Sequence, residues 1–128
     1  MENTNNAAQA VKIIRILGEE YQLIITNEKE EPRLREIGGF CDNTSKKCVV
    51  RDFVHEESTP LDKDNLAIEV QRNIRHEIVH AFLLESGLDA NSGWADNEEL
   101  VDWIALQGPK IYKVWQEAGA VEDNLKNG

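Results

Sequence analysis

The spacing of apolar and polar positions divides the chain into a strand-forming first part and a helix-forming second part. Short runs rich in β-branched residues, at positions 11–17 and 20–26, predict two strands. Two further runs, at 37–42 and 46–53, flank turn-forming residues at 43–45 and predict a β-hairpin. The first part of the chain therefore predicts a small, mainly antiparallel sheet.

Apolar residues then recur at helical spacing over a long segment that includes Leu66, Val70, Ile74, Ile78 and Phe82. This spacing predicts one long helix from Asp62 or Lys63 to Ser86. Gly87 is placed to end that helix as the first residue beyond it, where a left-handed backbone is common.

A second helix is predicted after a loop at residues 88–95. Asp96 is a suitable N-cap for it, and Glu99 lies three residues later, at the spacing of a capping box. Gly108 and Pro109 predict the end of that helix, with Pro109 as the first residue of a last helix. Strands followed by helices indicate an α+β fold, in which the sheet packs against the long helix and the second one.

The length and charge of the chain narrow the picture. Its 128 residues fit one domain, residues 1–128, with frayed polar ends at 1–9 and 120–128. We expect a cytoplasmic protein, because no apolar run approaches a membrane span and the N-terminus does not have a secretory pattern. A net charge of −10 without a basic cluster argues against nucleic acid and anionic membranes as partners.

The strongest chemical motif is His76-Glu77-x-x-His80, the metal-binding signature of zinc metallopeptidases. Residues four apart on a helix share one face, with Cβ atoms roughly 5–6 Å apart, so both imidazoles can reach one metal ion. Glu77 lies beside that face and can act on a water molecule bound to the same metal. The alternatives are a chance pair of histidines on a helix surface, or a metal that serves structure alone.

Two histidines leave a catalytic zinc one protein ligand short, because such sites usually have three. The metzincin pattern is excluded, since it requires glycine and histidine where this chain has Leu83 and Ser86. Cys41 and Cys48 are expected to be free thiols in a reducing compartment, although one of them is an alternative metal ligand.

The segment that runs from Asn97 to Asp102 resembles the Asn-Glu-x-x-x-Asp segment of thermolysin-like gluzincins. This resemblance implies that Glu98 is the third zinc ligand and that Asp102 orients His76. A helix places residues 98 and 102 on one face, which agrees with these roles. Glu99 is the alternative ligand, but it points about 100° away on a helix.

The chain also resembles the ImmA/IrrE-type peptidases of phages and prophages, which are minimal gluzincins. The resemblance covers about residues 37–112 and is strongest at 76–82 and 98–105, although Val101 stands where that family usually has alanine. It implies a zincin-like fold, a Zn²⁺ cofactor and a protein or peptide substrate. It also implies that a strand before the long helix, here residues 48–53, aligns the substrate.

The expected function is therefore peptide-bond hydrolysis with Glu77 as the general base. Tyr112, His55 and Arg75 are candidates for an additional oxyanion stabiliser. One alternative is a deformylase-like amidase, in which Cys41 would bind the metal. A DNA-repair protease of the SprT type is disfavoured by the acidic composition and the missing zinc ribbon. The last alternative is a non-catalytic, phage-associated zinc-binding module, against which the presence of Glu77 argues.

Overall fold

The computed structural model describes residues 9–55 and 65–122, and over these it has a four-stranded sheet packed against helices. The strands are β1 (Ala10–Ile16), β2 (Glu19–Thr26), β3 (Gly39–Asp42) and β4 (Lys47–Arg51). The helices are α1 (Leu66–Glu85), α2 (Leu88–Asn91) and α3 (Glu98–Glu117), and short 3₁₀ turns lie at Pro32–Leu34 and Phe53–His55. The predicted α+β class is confirmed.

The strands are arranged in the order β1-β2-β4-β3. β1 pairs with β2 and β3 pairs with β4 in antiparallel fashion, whereas β2 and β4 are parallel, so the sheet is mainly antiparallel as predicted. The expectation that residues 48–53 align a substrate is wrong for the part that lies in β4, because the backbone of β4 is paired with β2 on one side and with β3 on the other. The edge strand beside it is β3.

The face of the sheet toward α1 forms the main hydrophobic core. Alternate residues of the strands point to this face, as period-two side-chain geometry requires. The buried cluster consists of Ile16, Tyr21, Leu23, Cys48, Val50, Phe53, Val70 and Ala81. Burial of this cluster, at roughly 25 cal/mol per Å² of apolar surface, holds α1 across the sheet.

The boundaries of α1 follow local rules. Asn65 is its N-cap, and the side-chain oxygen of Asn65 accepts a hydrogen bond from the Ile68 backbone at 3.2 Å. The earlier start predicted at Asp62 or Lys63 lies outside the described residues. Gly87 follows the helix with φ 86°, the left-handed conformation predicted for it.

The predicted N-cap of α3 is wrong by one residue. Asn97, not Asp96, caps the helix, since its side-chain oxygen accepts a hydrogen bond from the Leu100 backbone at 2.8 Å. The predicted capping box between Asp96 and Glu99 is therefore absent. Aspartate and asparagine are both favourable N-cap residues, and α3 begins after Asn97.

The predicted helix break at Gly108 and Pro109 is also wrong, because α3 continues through Pro109 to Glu117. Proline has no N–H, so the carbonyl of Ala105, four residues earlier, loses its usual helical partner. Arg75 of α1 supplies a replacement, since its Nε donates to that carbonyl at 2.6 Å. A tertiary hydrogen bond thus offsets part of the cost of the proline. None of the helices in the two described ranges is long and apolar enough to cross a membrane.

This interpretation predicts a coupling between Arg75 and Pro109. Arg75→Met should lower the free energy of unfolding by about 2 kcal/mol, because it leaves the buried Ala105 carbonyl without a donor. In a Pro109→Ala background the new N–H can bond that carbonyl, so the same change should cost about 1 kcal/mol less. Urea unfolding of the wild type, both single variants and the double variant measures the coupling energy. Equal costs in the two backgrounds would show that Arg75 does not compensate for the proline.

Candidate metal centre

Helix α1 brings His76 and His80 together on one face. Their ring centroids lie 4.9 Å apart with an angle of 67° between the planes. Both side chains are largely buried, at 18% and 14% exposure, which limits the orientations that their rings can adopt. The i, i+4 spacing thus produces the pair of neighbouring imidazoles expected from the sequence.

The first turn of α3 adds a carboxylate to this pair. Oε1 of Glu98 lies 3.0 Å from Nε2 of His76 and 3.2 Å from Nε2 of His80. The ligand atoms of the three residues all lie within 4.8 Å of one another. A tetrahedral zinc with bonds of about 2.0–2.1 Å would separate its ligand atoms by about 3.3 Å. His76, His80 and Glu98 can therefore hold a metal ion, and imidazole with carboxylate suits several divalent metals.

The capping of α3 decides which glutamate reaches the histidines. Asn97 starts the helix, so Glu98 is its first residue and points toward α1. Glu99 is exposed and does not belong to the ligand group. The structure thus brings Glu98 to the histidines, although the N-cap assumed from the sequence was the wrong residue.

Asp102 lies one turn further along α3, on the same side. Its Oδ1 is 3.4 Å from Nδ1 of His76, the ring nitrogen that faces away from Glu98. A carboxylate at this position fixes the ring orientation of a metal-binding histidine. Arg72 approaches the same oxygen at 4.0 Å and pairs with Glu69 at 3.4 Å. Sequence reasoning missed Arg72, although its position one turn before His76 on the same helix was a usable signal.

The carboxyl group of Glu77 is packed against strand β3. Glu77 is only 6% exposed and lines the same cavity as the two histidines. A Cβ atom at Gly39 would lie 3.1 Å from Cγ and 3.2 Å from Oε2 of Glu77, and 2.8 Å from the Val49 carbonyl. Only glycine leaves room for the carboxyl group at this point of β3. Sequence reasoning missed Gly39, because its role depends on how β3 packs against α1.

Burial changes the ionisation of Glu77. Desolvation raises its pKa to about 8, and the negative charge of Glu98 adds a smaller contribution. No hydrogen-bond partner for its carboxyl group is found in residues 9–55 and 65–122. In the metal-free protein this group is therefore mostly protonated at neutral pH, whereas a nearby cation would favour its ionised form.

These groups open into one cavity of about 520 Å³ between α1, β3 and the segment before α3. This volume lies in the range of small-molecule and peptide side-chain sites. Its described lining residues are Ile37, Gly39, Phe40, Cys41, His76, Glu77, His80, Leu84, Asp89, Asp96 and Glu98.

The cysteines do not join the metal-ligand group. Cys41 lines the cavity, but its Sγ lies 4.0 Å from that of Cys48, directly across the β3–β4 pair, and both thiols are free. The hydrogen bond with Cys48 and burial raise the pKa of Cys41, which disfavours the thiolate that binds metals. The group of ligand atoms found among the described residues contains neither sulfur. The deformylase-like alternative gains no support from this arrangement.

Two of the candidates for an oxyanion stabiliser, Arg75 and Tyr112, do not line the described part of the cavity. Arg75 is bonded to the Ala105 carbonyl, and Tyr112 lies on the distal half of α3. The side chain of His55 lies outside the described part of the structure.

In comparisons with known proteins, no protein family, no curated protein and no solved structure was found to match this chain.

The first prediction for this site concerns metal stoichiometry. Wild-type protein should bind one zinc ion per chain, and His80→Ala or Glu98→Ala should weaken binding by more than about 100-fold, because each removes a ligand atom. Competitive titration with a chromophoric chelator measures these affinities. Glu99→Ala, one residue from Glu98 but outside the group, is the matched control and should bind zinc like the wild type. An unchanged zinc affinity in Glu98→Ala would show that Glu98 is not a metal ligand.

The second prediction concerns metal-free stability. Native Glu77 holds its proton up to about pH 8, whereas an ordinary glutamate loses it near 4.5. Between these values the native state binds more protons, so raising the pH favours unfolding, by up to about 1.4 kcal/mol per pH unit. Glu77→Gln cannot ionise, so its stability relative to wild type should rise across this window.

Urea unfolding of both proteins with excess chelator at several pH values between 5 and 8.5 tests this expectation. The exposed substitution Glu99→Gln serves as the control and should show no such trend relative to wild type. A difference between Glu77→Gln and wild type that stays constant with pH would contradict the raised pKa.

Proposed function

We propose that this chain is a zinc-dependent metallopeptidase of the minimal gluzincin type, which hydrolyses peptide bonds in a protein substrate. One observation carries the proposal. Two imidazole nitrogens and the Glu98 carboxylate converge at one side of a cavity that also contains the buried Glu77 carboxyl group. A site that held a metal for structure alone would not require an ionisable group at the position of Glu77.

The residues of the site suit hydrolysis. His76, His80 and Glu98 would hold the ion, and bound zinc supplies Lewis-acid polarisation of a carbonyl group and makes water more acidic. Glu77 accepts a proton from the attacking water while the oxygen of that water bonds to the scissile carbon. The same carboxyl group then delivers that proton to the leaving nitrogen as the C–N bond breaks. Asp102 keeps His76 in its ligand orientation throughout.

The free side of β3 supports a peptide as the substrate. The backbone N–H of Arg51 donates to the Gly38 carbonyl at 2.8 Å, which makes positions 38 and 51 a hydrogen-bonded pair. Such pairs alternate in antiparallel strands, so the backbone groups of Gly39 and Cys41 point away from β4. Within the described residues no other strand pairs with this side of β3. Since β3 borders the cavity, an extended peptide could add there as a further strand and lie across the metal centre.

The test of this function is the substitution Glu77→Gln. It should leave zinc content at one ion per chain but lower the rate of casein or peptide-library cleavage by at least about 100-fold, because the general base is removed and the ligands remain. Metal analysis and product detection by mass spectrometry on the same samples give both quantities. The control variant Glu99→Gln should keep both the zinc content and the cleavage rate of the wild type.

Two outcomes would contradict the proposal. Equal cleavage by wild type and Glu77→Gln would show that Glu77 is not the base. Full zinc loading without any cleavage that depends on Glu77 would favour the non-catalytic zinc-binding module.

A further inference from the structure

Two carboxylates in the cavity have no part in the metal group. Asp89 belongs to the short helix α2, and Asp96 lies in the turn before the Asn97 cap of α3. Both line the cavity that contains the histidines. Neither has a hydrogen-bond or ion-pair partner within the part of the chain that the structure describes. Their charges are thus available to a ligand.

The charge balance of the cavity stays negative even with a metal ion. The carboxyl groups among its described lining residues are those of Glu77, Asp89, Asp96 and Glu98. Glu98, Asp89 and Asp96 carry three negative charges, and a divalent ion offsets two of them, so the balance stays negative whatever the ionisation state of Glu77. The described lining residues include no lysine or arginine that could neutralise them. The cavity therefore favours a positively charged occupant.

The remaining wall of the cavity is apolar. Ile37 lies just before β3, and Leu84 lies at the end of α1. Lysine and arginine side chains pack their methylene stems against such surfaces and keep their charged ends beside polar groups. A cavity of about 520 Å³ has room for one such side chain next to a peptide backbone.

Glu77 gives an independent indication that this cavity receives a ligand. It is 6% exposed, has no partner within the described residues and is directed into the same space. A buried carboxyl group without a partner is costly for the fold unless a ligand or ion complements it. Asp89 and Asp96 therefore belong to a cavity that also contains a buried polar group without a partner among the described residues, and they are not an isolated patch on the surface.

We propose that Asp89 and Asp96 form a subsite that binds the arginine or lysine side chain of a peptide substrate beside the scissile bond. This inference rests on the proposed function and specifies its substrate class. The metal centre holds the reacting carbonyl group, the free side of β3 binds the peptide backbone, and the two aspartates select a cationic residue that flanks the bond.

The experiment measures binding and not turnover, so that it remains informative if cleavage is absent. The protein is zinc-loaded Glu77→Gln, and the probes are fluorescein-labelled alanine–leucine octapeptides with one arginine at each position in turn. Matched peptides carry citrulline, which has nearly the same shape but no charge. We expect arginine at one or two adjacent positions to bind about tenfold more tightly than citrulline, the combined effect of two partly exposed ion pairs.

Substitutions in the subsite should remove this difference. Asp89→Asn with Asp96→Asn, in the same protein, should reduce the ratio of arginine to citrulline affinity to about one and leave citrulline peptides within about twofold, since only charge is lost. The matched control replaces Glu99 and Glu117 by glutamine, two exposed carboxylates of α3 outside the cavity. It removes the same net charge and should keep the full ratio. Raising the salt concentration should weaken the arginine peptides selectively.

An unchanged ratio in the double aspartate variant, with zinc content and melting temperature like those of its parent, would overturn the subsite. So would the absence of any measurable arginine preference. Cleavage of the same peptides by wild-type protein separates the two proposals. Arginine-selective binding without cleavage would support the subsite and reject the peptidase function. Cleavage without arginine preference would support the peptidase function and reject the subsite.

Discussion

The position of α3 against α1 is the constraint on which the candidate metal centre depends, because its three possible ligand atoms come from these two helices. The hydrogen bond from Arg75 to the Ala105 carbonyl joins them next to His76. Its acceptor is free because Pro109 has no N–H to offer. The proline that would ordinarily end a helix thus creates the acceptor through which α3 is anchored to α1. Glu98 and Asp102, on the earlier turns of α3, then face the two sides of the His76 ring.

The cavity brings together carboxyl groups whose proximity is unfavourable in the protein without a ligand. Glu77 is buried and has no hydrogen-bond partner within the described residues, and the charge of Glu98 lies close enough to raise the pKa of Glu77 further. A protein tolerates such an arrangement when binding supplies the missing interaction, and the added stability then grows with the concentration of the ligand. Glu77 is thus a departure from the rule that buried polar groups are satisfied, and such departures are expected at functional sites.

Local sequence patterns predicted the elements better than their arrangement. The spacing of His76 and His80 and the helical periodicity around them depend only on neighbouring residues, so both were predictable. The parallel pairing of β2 with β4 was not, since hydrophobic alternation defines the faces of a strand and not its partners. Residues 96 and 97 are equally good caps by type, and only the folded chain selects Asn97. Pro109 was misjudged because its rescue comes from Arg75, 34 positions earlier in the chain.

The side of β3 that is unpaired within the described residues has a consequence for the behaviour of the protein at high concentration. An unpaired edge strand can receive a strand from another copy of the same chain, which is the usual origin of edge-to-edge aggregation. The net charge of −10 counteracts this, because copies that approach one another repel over a distance of about one Debye length. The protective effect fades as the pH falls toward the isoelectric point near 4.7. The net negative charge of this chain thus opposes the association of its copies through the unpaired edge of β3.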